Sequence, residues 1–133
     1  MKELILSKEC PPIYERLKRV FPIDWDDGVI IAYGMSVFCK YDLPPQKVIH
    51  ELVHCKRQEA MGKELWWDLY LAKDSFRLEE EVLAYKAEYK FFCENVRDRN
   101  QRFEYLYELA QNLSSKQYDL KITGDEALRI IQG

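Results

Sequence analysis

The residues able to do chemistry are concentrated in one stretch, KVIHELVHCKRQEA, residues 47 to 60. It holds both histidines of the 133-residue chain, four apart, in the pattern His50-Glu51-x-x-His54. On a helix, residues four apart stack on one face, so both imidazoles can offer a nitrogen to the same cation. Zinc takes nitrogen at ~2.0–2.1 Å in a tetrahedral shell, and two histidines on adjacent turns supply two of its corners. Glu51 lies about 100° further round the helix, where it flanks the ion rather than binding it. A carboxylate in that place can take a proton from water whose pKa the metal lowers to about 7 and deliver it to a leaving amine. This spacing therefore predicts a zinc centre with His50 and His54 as ligands and Glu51 as general base. The competing reading is an amphipathic helix with two hydrogen-bonded histidines.

A third protein ligand has to come from elsewhere. The chain has no further histidine, and Cys55 directly follows His54, turned about 100° from it. An acidic residue on a later helix is left, and RLEEEVLAYKAE (77–88) offers Glu79, Glu80 and Glu81. With Leu78, Val82, Tyr85, Tyr89 and Phe92 as the apolar face, Glu81 falls about 60° from Leu78, beside the core. Glu79 falls toward Lys86 and Lys90, and Glu80 points nearly opposite the core. The wheel favours Glu81, with Glu79 the alternative.

The elements that must hold these residues follow from pattern. A helix is predicted over 11–21, closed by Pro22. DDG (26–28) signals a turn. VIIAYG and SVFCKY (29–34 and 36–41) are β-branched and aromatic, hence two short strands or one broken at Gly34. DLPP (42–45) starts the histidine helix, which ends near Gly62. Val48, Ile49, Leu52, Val53 and Cys55 make the rest of that helix apolar and predict that it is central and buried. Further helices are predicted over 64–72, 74–99, 102–113 and 123–132, the last opened by a Thr123/Glu126 capping box. SSKQYDLKI between the last two reads as loop with a short extended piece. The fold class is α+β: a small antiparallel strand pair or short sheet packed on a predominantly helical core, in a single domain over 1–133.

With these motifs in place, the chain resembles zincin metallopeptidases of the minimal gluzincin (minigluzincin) type, many of them phage- or prophage-like. The resemblance covers residues 29–92: strand, turn and strand, then H-E-x-x-H, then E-x-x-A on a later helix, matched by Glu81-Val82-Leu83-Ala84. It implies a Zn²⁺ cofactor held by His50, His54 and Glu81, with Glu51 as base. It also implies a substrate-binding strand edge at Val37, Phe38 and Cys39. The aspartate that often follows the alanine is Tyr85 here, which leaves open what orients a ligand histidine. Tyr85, Tyr33 and Arg57 are candidates for an oxyanion stabiliser.

The expected function is zinc-dependent hydrolysis of peptide bonds in a peptide or protein substrate. The alternative is a non-catalytic binding or regulatory module on the same scaffold. So small a chain leaves little room for the cleft's far wall, which a partner or a second copy would complete. A formal net charge of −3 gives no electrostatic drive toward nucleic acid. No apolar run approaches the ~20 residues of a membrane span, and MKELILSKECPP is not a signal peptide. The four cysteines are widely spaced, with no C-x-x-C. They are expected to be reduced and mostly buried in a cytoplasmic protein.

Overall fold

The computed structural model describes residues 3–133. Their order is β1 (Ile5–Ser7), α1 (Tyr14–Lys18), β2 (Ile31–Tyr33), β3 (Ser36–Phe38), α2 (Pro45–Met61), α3 (Lys63–Ala72), α4 (Asp74–Asn95), α5 (Arg99–Leu113) and α6 (Gly124–Gln132), with a 3₁₀ turn at Trp25–Asp27 before β2. The expected α+β class holds: six helices and a small mixed sheet.

The sheet runs β1-β3-β2, with β2 antiparallel to β3 and β1 parallel to it. Gly34 and Met35 join β2 to β3, Gly34 at φ 62°, the left-handed geometry that a two-residue hairpin needs. Strand β3 is therefore the middle strand. Of the edge expected at Val37, Phe38 and Cys39, Val37 and Phe38 are paired on both sides and Cys39 N donates to the Ser7 carbonyl, because β1 lies parallel beside them. The open edge next to the helices is β2.

Helix α2 starts as its prolines require, with Pro44 as cap and Pro45 in the first turn, where a missing N–H costs little. It stops at Gly62, φ 94°, where the chain turns directly into α3. The 74–99 prediction overran: Val96 is extended, and Asp98 caps α5 by accepting from the amides of Asn100 and Gln101. The 11–21 helix is regular only over Tyr14–Lys18. The Thr123/Glu126 capping box is present in both its hydrogen bonds.

Two apolar clusters flank the α2–α4 pair. One joins Tyr14, Leu17, Phe21, Ile31, Trp66, Trp67 and Tyr70. The other joins Tyr85 to Leu106, Leu109, Leu113 and Ile131 of α5 and α6. At roughly 1.5–3 kcal/mol for each large apolar side chain buried, these clusters carry the stability that the polar seam between them does not. That seam overturns the expected role of α2's apolar residues. Its buried side chains are His50, Glu51, His54, Cys55 and Gln58, while Val48, Ile49, Leu52 and Val53 are only partly covered. Helix α4 likewise turns Arg77, Glu80, Glu81, Ala84 and Glu88 inward.

Among the described residues, no helix is long and apolar enough to cross a membrane. All four cysteines are free; Cys39 and Cys55 are buried, Cys93 is partly buried and Cys10 is exposed.

Candidate metal centre

His50, Glu51 and His54 are all buried on α2, and one ligand atom from each lies within 4.8 Å of the others. Ala84, fully buried on α4, leaves no bulk where the two helices pack. That close approach carries the carboxylate of Glu81 in to the imidazoles. Glu81 Oε1 is 3.1 Å from His50 Nε2, and Oε2 is 3.1 Å from His54 Nε2. Glu51 Oε2 is 3.6 Å from His50 Nε2. In a tetrahedral zinc shell with bonds of ~2.0–2.1 Å, neighbouring ligand atoms are about 3.3–3.4 Å apart, near the 3.1 Å between each Glu81 oxygen and its histidine nitrogen.

Two observations test whether these residues suit a cation. First, neither ring nitrogen of His54 makes a hydrogen bond, although the ring is buried. Its 3.1 Å approach to Glu81 is close but not aligned as an N–H donor would be. A buried polar atom without a partner costs roughly 1–3 kcal/mol, and an ion bound at Nε2 would remove that cost for one of the two nitrogens. Second, the pocket places two carboxylates against two imidazoles, so it attracts positive charge. Burial lowers the pKa of His50, but Glu51, Glu81 and Glu88 outweigh it and hold the pKa at about 10. A proton on His50 thus occupies the electrostatic place of a cation. Burial would raise Glu81, but the two histidines hold it well below the usual carboxylate range. Burial dominates at Glu51 and raises its pKa, against the opposing pull of His50 and His54.

The histidine-orienting group that Tyr85 left in doubt is Glu88. It accepts a hydrogen bond from His50 Nδ1 at 2.9 Å, so Nε2 faces Glu81 and Glu51. Glu88 is fully buried and also takes Lys47 Nζ at 2.8 Å and the hydroxyl of Tyr105. Glu81 and Glu88, two turns apart on one face of α4, bracket the two nitrogens of one imidazole. The seven-residue spacing puts Glu88 about 20° from Glu81 on the helical wheel, so its place on the same face was visible in the sequence. The hydroxyl of Tyr70 donates to Glu81 Oε2 at 2.6 Å, fixing that carboxylate from the other side.

The competing glutamates separate by surroundings. Glu79 is exposed. Glu80, read as pointing away from the core, is only 1% exposed, because Arg57 and the indole N–H of Trp66 both bond its carboxylate. The oxyanion candidates separate too. Tyr33 bonds Glu64 and Arg57 bonds Glu80. Tyr85 stays beside the site, its ring 4.5 Å from that of His50 and its hydroxyl 2.7 Å from that of Tyr118.

Tyr118 belongs to the segment read as loop with a short extended piece, in which no strand forms. That segment, with the end of α5, forms a wall of the cleft: Asn112, Gln117 and Tyr118 face Ile23, Asp24, Asp27, Val29 and Ile30 across an opening of about 460 Å³ that reaches His50 and Glu51. Arg77 holds the segment by donating to the carbonyls of Tyr118 and Tyr70. Comparison with protein-family models, curated proteins and solved structures gives no match.

Proposed function

We propose that the protein is a zinc-dependent peptidase, with His50, His54 and Glu81 holding the ion and Glu51 as general base. The observation that carries this reading is the meeting of the unpartnered His54 ring with His50 Nε2 and the Glu81 carboxylate, at 3.1 Å from each nitrogen, at the inner end of an open cleft. Zinc held there supplies Lewis acidity, to water and to a scissile carbonyl.

The remaining steps belong to the chain's own groups. Glu51 is buried beside the two imidazoles, and burial raises its pKa, which makes its carboxylate a stronger base than an exposed one. It takes a proton from the attacking water on a carboxylate oxygen and returns it to the leaving nitrogen. Glu88 keeps His50 in one tautomer and orientation through Nδ1, and Tyr70 does the corresponding work for Glu81. The hydroxyls of Tyr85 and Tyr118 lie on the cleft side of His50 and are the donors best placed for a developing oxyanion. An extended substrate meets residues 29–31, which line the cleft and lead into β2.

The test separates chemistry from metal binding. Glu51→Gln is expected to keep about one zinc per chain while cleavage of an unstructured protein substrate falls by roughly 10²–10⁴-fold. Equal cleavage by wild type and variant would overturn the assignment of the base.

A further inference from the structure

Glu88 orients His50 through Nδ1, and the Tyr70 hydroxyl orients Glu81. His54 has no such partner, since neither of its ring nitrogens makes a hydrogen bond. A bond at Nε2 alone leaves an imidazole free to turn about that bond. Ligand histidines ordinarily lose this freedom by donating from the other nitrogen. The plane of the His54 ring must therefore be set by packing.

The ring that α3 lays against it is Trp66, 5.3 Å away between centroids and tilted by 58°. Trp66 is buried; it stacks on Tyr70 at 4.8 Å and meets Trp67 edge-on at 4.9 Å. Stacking fixes the plane of an indole but not which edge points where. The one polar atom of the ring does that: Nε1 donates to Glu80 Oε1 at 2.8 Å. Glu80, buried on α4, is fixed in turn by Arg57, whose Nε donates to Oε1 at 3.0 Å and Nη2 to Oε2 at 2.9 Å. Arg57 stands three residues after His54, on the adjoining turn of α2. The contacts thus close a circuit through three helices: His54, Trp66, Glu80, Arg57 and back along α2.

Stability does not account for this circuit. A buried ion pair is weak evidence for stability, because apolar residues of similar volume often do as well or better. A carboxylate does what they cannot, accepting from the fork of one guanidinium and from a third N–H at once. Among the four buried carboxylates of the α2–α4 seam, Glu80 is the one paired to an arginine and not to a histidine, and the reaction steps do not use it.

We infer that Glu80 is a positioning residue for His54: with Arg57 it locks the Trp66 indole, and the indole holds the imidazole in the plane that turns Nε2 toward Glu81. The consequence for zinc rests on the metal-centre reading, whereas the clamp on the ring can be tested without metal. The chain has two histidines, so ¹⁵N-histidine labelling shows the ring nitrogens of His50 and His54 alone, assigned with His54→Ala. Glu80→Gln is nearly isosteric and offers one acceptor oxygen in place of two. In that metal-free variant the His54 signals are expected to shift and broaden while those of His50 stay in place. Zinc affinity, measured by competition with a chromophoric chelator, is expected to fall roughly 10–100-fold. Trp66→Phe, which keeps a ring and removes its N–H, is expected to act in the same way. A merely structural role would not separate the two histidines. If Glu80 only kept α4 in place, its loss would displace Glu81 and Glu88, and both of those bond His50.

Equal shifts in both histidines, or unchanged His54 signals, would overturn the positioning role. Should Glu80→Gln not fold, Arg57→Lys decides by the same two readouts, since it keeps the charge and loses the fork at a half-exposed side chain. A wild type that binds zinc, with variants that bind it as tightly, would overturn the positioning role and leave the metal centre standing. A wild type that takes up no zinc, with His54 alone responding to Glu80→Gln, would support the clamp and remove the metal centre.

Discussion

At the scale of single residues, four carboxylates that share one helix pair differ in their surroundings. Glu51 is raised by burial, Glu81 is depressed by two histidines, Glu88 is held by three donors, and Glu80 is neutralised by Arg57. The sequence made His50, His54 and Glu51 legible, since helical spacing alone places them. It also favoured Glu81, by its nearness to an apolar stripe. The same face carries Glu88, about 20° from Glu81 on the wheel, but the burial of Glu80 was hidden, because hydrophobic periodicity says nothing about a face buried by ion pairing. Glu88→Gln is expected to lower zinc affinity by roughly 10–100-fold while leaving the fold intact, as measured by competition with a chromophoric chelator. His50 adds a proton prediction. Its pKa of about 10 in the metal-free protein lies above the ordinary 6.5, so it is protonated at neutral pH and zinc must displace that proton. Binding at pH 7.5 is then expected to release about one proton from His50, and affinity to rise about tenfold per pH unit until pH nears 10. Calorimetry in buffers of different ionisation enthalpy measures this, and zero proton release would contradict it.

At the scale of elements, the strands and helices were mostly legible because prolines and glycines punctuate them. Pro45 and Gly62 bound α2, Gly34 makes the hairpin, and Thr123 with Glu126 opens α6. The exceptions have a physical reason. β1 is a three-residue strand that exists only because β3 offers it an edge. Val96 ends α4 by its extended backbone, although no residue of the helix-breaking types stands there. Gln58 shows how an element is completed from a distance, since its amide caps β2. Gln58→Ala strands the amide of Gly34 and leaves Trp67 alone on the Ala32 carbonyl. It is expected to destabilise the protein by about 1–3 kcal/mol, as read by denaturant unfolding. Ala84→Leu forces bulk into the α2–α4 contact, where position 84 is fully buried. A cost of about 1–3 kcal/mol is expected, together with weaker zinc binding as Glu81 moves away from the histidines.

At the scale of the whole molecule, two apolar clusters hold a polar seam between them, and the chain's C-terminal part closes the cleft that the seam opens into. A loop rich in serine and lysine carries little pattern, so its place opposite β2 could not be read from sequence; tertiary contacts through Arg77 and Tyr85 put it there. If the site holds an ion as proposed, its binding is expected to stabilise the fold, because the ion would partner His54 Nε2 and offset the crowded carboxylates. The most direct test of the central claim is zinc content after loading and exhaustive dialysis, for wild type beside His54→Ala and Glu81→Gln. About one zinc per chain is expected in the wild type, loss of that zinc in His54→Ala, and much weaker retention in Glu81→Gln. A folded wild-type protein that takes up no zinc, or one whose zinc is indifferent to both substitutions, would contradict it.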